Sequence, residues 1–282
     1  ALKGRAIAQP NTFSADGLTT YVTSSQPNEG DCNLWAVSIE DGSVKWCLDV
    51  GAGAIWSAVE VDVNGALYLT ARDALISVTP DGQIRWKKEN GPGPDPQLDN
   101  FPIGLHFTPK GHIATVTSQG VVMLVDRSDG DVLATFDVPA GFGVSRPAPK
   151  TGMIDVGELL PTAVVEDFGR LQFGPVSALL SVFAGAANFC DNTIAVAPDG
   201  TLYVIGSGDE VGGLFQIKVG GTDEKPVLSA GWSTPTHKGS ASSPAISPDG
   251  RYAKVSDGNA DAAFLDPESV GAKTRIVDIR AC

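Results

Sequence analysis

The residues whose spacing comes closest to doing chemistry are Asp257-Gly258-Asn259-Ala260-Asp261, with Glu268 at the twelfth position. Oxygen ligands at positions one, three, five and twelve are the spacing of a calcium loop. Ala262 occupies the sixth position, where such a loop needs glycine. If Ala262 to Asp266 is a strand, Glu268 lies about 17 Å from the loop by strand rise. The leading reading of the stretch is therefore a plain polar turn, and the alternative is a partial metal site, Asp257, Asn259 and Asp261, with calcium as its ion.

Other reactive groups are sparse. His106 and His112 flank the turn at Lys110-Gly111 and can meet across a hairpin, but two histidines fall short of the three or four ligands zinc takes. No Gly-x-Ser-x-Gly elbow occurs, and no Cys or Ser has a local partner marking it as a nucleophile. Cys32, Cys47, Cys190 and Cys282 form no CxxC motif, and their even number in an exported chain favours disulfides, with three full pairings open. If a hairpin turns at Asp41-Gly42, Cys47 lies opposite Ala36. Cys32 is then four residues further on, roughly 13 Å away at strand rise, and the pair can bond only if residues 25–31 fold back. Cys282 has Cys190 or another chain as alternative partners.

Composition narrows the function classes. A net charge of −13 argues against nucleic acid or an anionic membrane surface as the main partner, because phosphate binding needs a cationic face. With 33 Gly and 19 Pro among 282 residues and 42% hydrophobic content, the chain reads as a globular, turn-rich protein. Its densest apolar stretch, Val176 to Ala187, is too short to span a bilayer, so no transmembrane segment is expected. Ala1 in first place, with no charged-then-apolar leader, leads to the expectation of a processed chain located outside the cell or in the periplasm.

The elements that must position these residues show in the turns. A polar residue followed by Gly separates alternating apolar runs at Asp16-Gly17, Asn64-Gly65, Lys110-Gly111, Asp199-Gly200 and Asp249-Gly250. The steps are 48, 46, 89 and 50 residues, so one is double. A second series, with Gly at 42, 82, 130, about 220 and 271, has its double step in the same place. A concealed repeat is expected around Asp155-Val156-Gly157. In the second repeat, Ser57 to Asp62, Ala66 to Thr70, Leu75 to Thr79 and Gln83 to Lys87 read as four strands. Four short antiparallel strands per 40 to 50 residues describe a propeller blade. The expected fold is an all-β propeller of six four-stranded blades, the fourth degenerate, forming a single domain over residues 1–282. Leu2 to Ala8 are expected to complete the blade that ends at Thr274 to Ile279.

Ala36, Gly42 and Trp46 stand at the spacing of the Ala-x-Asp-x-x-Thr-Gly-x-x-x-Trp repeat, so the chain resembles the pyrroloquinoline-quinone-type (quinoprotein-like) propellers. Gly82 and Trp86 repeat the pattern, with Ile76 and Val78 at the Ala and Asp positions. Asp126 and Gly130 keep part of it, with Ala134 where Trp is expected. A Trp ending the outermost strand can wedge against the neighbouring blade, so Trp46 and Trp86 are expected to be packing residues. The resemblance implies a quinone held over a tryptophan with a vicinal Cys-Cys pair, a calcium ion and an Asp base. Adjacent cysteines are missing here, and no cofactor is predicted.

Innermost strands are expected to begin near Asn11, Trp56, Phe101, Arg146, Asn188 and Ser242. The channel candidates are Asn11, Trp56, Phe101, Asn188, Asp191, Asn192 and Ser242, because propellers build sites from polar groups converging from several blades. The leading expectation is a non-catalytic scaffold that binds a protein partner or small ligand. A quinoprotein-like oxidoreductase and a metal-dependent hydrolase or lyase using the channel are the alternatives.

Overall fold

The computed structural model describes residues 11–24, 30–50, 57–71, 74–96, 100–146, 189–190, 192–207, 212–236, 243–257 and 273–280. They form an all-β, propeller-like array of five antiparallel sheets, each with its strands in chain order. The described residues fall into two compact units, one up to Asn90 and one from Gly91. The concealed repeat at 155–157, the segment Leu2 to Ala8 and Cys282 lie outside the described residues.

The first unit holds two four-stranded sheets. One comprises β1 (Thr12–Phe13), β2 (Thr19–Thr23), β3 (Leu34–Ser38) and β4 (Val44–Leu48). The other comprises β5 (Glu60–Val61), β6 (Leu67–Ala71), β7 (Ala74–Val78) and β8 (Ile84–Glu89). Leu67, Leu69, Ile76 and Val78, alternating along β6 and β7, are fully buried and share one core with Leu34 and Ala36 of the first sheet. Strand period decides this: each second residue faces the neighbouring sheet.

The second unit holds three sheets. Strands β9 (Pro102–Phe107), β10 (Ile113–Thr117), β11 (Val121–Val125) and β12 (Val132–Asp137) form one, followed by a short helix, α1 (Val138–Phe142). Strands β13 (Ala195–Val196), β14 (Leu202–Ser207), β15 (Gly212–Gly221) and β16 (Pro226–Thr236) form the next. The last has three strands, β17 (Ala245–Ile246), β18 (Tyr252–Asp257) and β19 (Lys273–Asp278). The first strands of the sheets meet: β1 contacts β5, and β13 contacts both β9 and β17. No helix among the described residues is long and apolar enough to cross a membrane.

One side-chain row recurs from sheet to sheet. Tyr21, Ala36 and Trp46 are opposite one another across β2, β3 and β4, and Tyr68, Ser77 and Trp86 repeat the row in the second sheet. The Tyr and Trp rings stand 6.0 Å apart in the first and 6.1 Å in the second, and Tyr203 and Trp232 stand 6.0 Å apart in the β13–β16 sheet. Ser77, not Ile76, is thus the equivalent of Ala36. The correction arises because the β7–β8 turn is one residue shorter: Val78 pairs Ile84, whereas Val37 pairs Val44. In the β9–β12 sheet the row is Ala114, Leu124 and Ala134, so tyrosine and tryptophan are lost together. Phe136, Phe142, Phe189 and Phe215 occupy that seam instead, with Phe142 and Phe215 centroids 5.1 Å apart.

The Cys32–Cys47 disulfide forms, with 5.6 Å between Cα atoms. The distance argument against it fails for two reasons. A bulge between Ala36 and Val37 sets Cys47 opposite Trp35 instead of Ala36. The strand also stops at buried Asn33, whose N–H donates to the Leu48 carbonyl at 3.0 Å and whose Oδ1 accepts the Val50 N–H at 3.0 Å. Cys32 leaves the sheet there, and Gly30, at φ +83, turns the chain back.

Candidate functional site

An open cleft of about 350 Å³ lies among the described residues of the second unit, where three hairpins converge. Its walls are three copies of one triplet: Phe107-Thr108-Pro109, Val196-Ala197-Pro198 and Ile246-Ser247-Pro248. Each triplet runs from the end of a first strand, β9, β13 or β17, into a tight turn closed by glycine. The N–H of Gly111 donates to the Thr108 carbonyl at 2.8 Å, that of Gly200 to Ala197 at 2.9 Å and that of Gly250 to Ser247 at 2.8 Å. Proline in the second place presets the backbone angle such a turn needs, and the closing glycines have φ of 84, 88 and 65. The corresponding turns of the first unit carry Ala15 and Val63 in place of proline.

The turns stack in a stair. A Cβ on Gly200 would stand 3.8 Å from Pro109 Cδ, and one on Gly250 would stand 3.3 Å from Pro198 Cδ. Each proline ring thus lies near the following turn, closely at Gly250 and at ordinary contact distance at Gly200. At the first step, Gly104 of β9 admits Thr193, whose Oγ1 stands 2.2 Å from where a Cβ would be. The Arg127 guanidinium lies 5.9 Å over the Phe107 ring, and Lys110 pairs with Asp223 of the β15–β16 tip at 2.8 Å.

The hydroxyls in the walls are committed to their own turns. Thr108 Oγ1 accepts the His112 N–H at 3.1 Å. Ser247 Oγ donates to Asp249 Oδ1 at 2.6 Å and accepts the Arg251 and Tyr252 N–H groups at 3.1 and 2.9 Å. The Ser247 bond is the main cause that holds the Asp249 carboxyl below the usual carboxylate range. The cleft thus offers aliphatic, aromatic and proline surface interspersed with a substantial polar share. A second depression, of about 420 Å³, lies on the three-stranded sheet beside Ile246, Lys254 and Ile276, the last 70% exposed.

Asn11 is exposed and precedes β1, whereas Phe101 and Asn192 are half-buried before β9 and β13. Phe101 pairs its backbone with Ser118, which donates its N–H to the Phe101 carbonyl at 2.9 Å. Arg146 donates from Nε to the Gln119 carbonyl at 2.9 Å and from its guanidinium to Asp137 Oδ1 at 2.6 Å. Trp56, Asn188, Asp191 and Ser242 lie outside the described residues. So do Asn259 and Asp261, while Asp257 ends β18 with its backbone in register with Lys273. His106 pairs across from Ala114, two residues beyond His112. Among the described residues no group of three or more His, Cys, Asp or Glu is placed to hold a metal.

Sequence reasoning followed the glycine that closes each turn and passed over the triplet before it. The signal was present, since Pro109, Pro198 and Pro248 all stand two residues ahead of a tracked glycine.

No protein-family model matches the chain, and no curated protein matches it in sequence. Among solved structures, BamB from Moraxella catarrhalis superimposes with a TM-score of 0.52 at 11% identity, over 98% of this chain and 63% of BamB. Kuenenia stuttgartiensis hydrazine synthase gives a TM-score of 0.54 at 15% identity, over 89% of this chain and 55% of that one. The chain therefore spans under two thirds of the length of either protein, and at these identities the likeness is one of fold.

Proposed function

We propose that this chain works as one propeller domain, a non-catalytic scaffold of the cell envelope or exterior, and that it holds a protein partner at the proline-lined cleft. The observation that carries the reading is the composition of that cleft. Its three walls present Pro109, Pro198, Pro248 and the aliphatic or aromatic residue before each turn, and the Thr108 and Ser247 hydroxyls are already engaged. The apolar part of that surface gains free energy by excluding water from a docked apolar group.

Two further observations support it. The Trp46 ring, the tryptophan of the repeat motif, is engaged in the seam between two sheets rather than turned to a ligand. The Cys32–Cys47 bond favours an oxidising compartment outside the cytosol. A ligand entering along the first strands would be sought at Asn11, Trp56, Phe101, Asn188, Asp191, Asn192 and Ser242.

Native mass, elemental analysis and the visible spectrum of the purified protein separate this reading from an enzyme. The expected result is a mass equal to that of the oxidised chain, with no absorbing cofactor and no stoichiometric metal. A quinone chromophore, or a bound divalent ion together with turnover of alcohols or lactones, would overturn it.

A further inference from the structure

Each sheet that opens on a two-residue strand pairs the first residue of that strand with one place on the next. Thr12, Glu60 and Ala195 pair there with Tyr21, Tyr68 and Tyr203, and Ala245 pairs with Lys254. Lys254 thus holds the tyrosine's place in the last sheet. Ile276, opposite it on β19, holds that of Ala36 and Ser77. The three tyrosines, Ala36 and Ser77 are buried. Lys254 is exposed and Ile276 is 70% exposed, so the last sheet turns to solvent a row that the other sheets bury.

The exposed row is continuous with the proline-lined cleft. The depression of about 420 Å³ beside it is bounded by Ala245, Ile246, Ser247, Tyr252, Lys254 and Ile276, and the cleft ends on Ile246, Ser247 and Pro248. Ile246 and Ser247 line both, so the two form one groove that passes from the β17–β18 turn onto the sheet. Neighbouring strands lie about 4.8 Å apart, which puts Ile276 about 10 Å beyond Ala245. About three residues of extended chain cover that distance.

The charge of the groove has one sign. Of the described residues that line either part, Lys254 alone carries a charged side chain, and it makes no ion pair among the described residues. At its margin Arg251 pairs with Asp278 at 3.2 Å and lies 5.0 Å over the Tyr252 ring, so those two charges balance each other. A carboxylate entering the groove meets an ammonium that nothing there neutralises, whereas a basic segment meets repulsion.

We propose that one partner segment occupies the whole groove: an extended acidic and apolar peptide whose apolar side chains fill the cleft and cover Ile276, and whose carboxylate pairs with Lys254. The inference rests on the reading of the cleft as the binding surface, and adds the partner's chemistry and the direction in which its chain leaves the cleft.

Peptides selected from a random display library on the folded protein are the probe. They are titrated against wild type, Pro198→Trp, Lys254→Met, Lys254→Arg and Ile276→Ser, at a temperature where each variant is folded. Lys254→Met keeps the apolar stem and removes the charge. Peptides that Pro198→Trp weakens are expected to contain Asp or Glu, to bind Lys254→Met at least about five-fold more weakly, and to lose affinity with added salt. Lys254→Arg should bind them like wild type, and Ile276→Ser should weaken them. Exchanging the peptide's carboxylate for its amide should weaken binding to wild type and have no further effect on Lys254→Met. Peptides that depend on Pro198 but ignore Lys254 and Ile276 would overturn this inference and leave the cleft reading standing. No binder, or binders indifferent to Pro198→Trp as well, would remove both. A homodimer that Ile276→Ser dissociates would also overturn the inference, since a second copy would then be the occupant.

Discussion

Trp46 of the first sheet donates its indole N–H to the Pro80 carbonyl of the second at 2.9 Å, and its Cδ2 stands 2.8 Å from where a Cβ on Gly82 would be. One side chain thus fits a glycine of the next hairpin and satisfies its own polar atom there. Trp46→Ala removes the wedge and is expected to destabilise the fold by about 2–4 kcal/mol, toward the low end because the ring is half-buried. Trp46→Phe keeps most of the packing and forfeits the hydrogen bond, about 1 kcal/mol. Urea denaturation of the two variants checks the order, and Gly82→Ala should resemble Trp46→Ala.

The Cys32–Cys47 bond closes a ring around the β3–β4 hairpin with a sequence separation of 15. Replacing both cysteines by alanine is expected to cost about 3 kcal/mol, as loop-closure entropy predicts for that length. The check is the denaturation midpoint with and without reductant. Wild type should move toward the double variant on reduction, and the double variant should not move.

Gly104→Ala should destabilise by about 1–3 kcal/mol, since the added Cβ runs into Thr193. Thr193→Gly in the same chain should recover much of the loss. A double-mutant cycle measures this, and a coupling near zero would show that the two residues do not share the space.

Acid stability should carry the mark of the turn aspartates. Asp41 accepts bonds from Ser43 Oγ at 2.7 Å and Ser43 N–H at 3.0 Å, and these lower its pKa from 3.8 to about 2. A depressed folded-state value means the contribution is present above pH 3.8 and is lost as pH falls toward 2. Asp16, Asp126 and Asp249 are lowered in the same direction, each first by a serine hydroxyl. Ser43→Ala is therefore expected to lower Tm above pH 3.8, near neutrality included, and to flatten the fall over that window, the variant and wild type converging as pH nears 2.

Repeat phase was legible because it rests on local chemistry. The tracked glycines Gly17, Gly65, Gly111, Gly200 and Gly250 all have positive φ, as do Gly42, Gly82 and Gly130, and Gly221 where a turn near 220 was expected. The strand limits of the second repeat agree with β5 to β8 within a few residues at each end. Register was harder to read. One bulge between Ala36 and Val37 re-aims Cys47, and a turn shorter by one residue moves the Ala36 equivalent from Ile76 to Ser77. A one-residue slip exchanges the two faces of a strand, so small turn differences decide which side chains meet. The tyrosine partners Tyr21, Tyr68 and Tyr203 went unread because they lie two strands away from their tryptophans. Convergence of the three proline triplets comes from sheets stacking, which no local pattern encodes.

The claim that the proline-lined cleft is the binding surface is tested most directly by affinity. Peptides selected from a random display library on the folded protein are titrated against wild type and Pro198→Trp, a substitution at an exposed turn position that alters the cleft wall. The account predicts at least about a ten-fold loss of affinity, equivalent to about 1.4 kcal/mol, measured at a temperature where Pro198→Trp remains fully folded. Selected peptides that bind Pro198→Trp as tightly as wild type would contradict it.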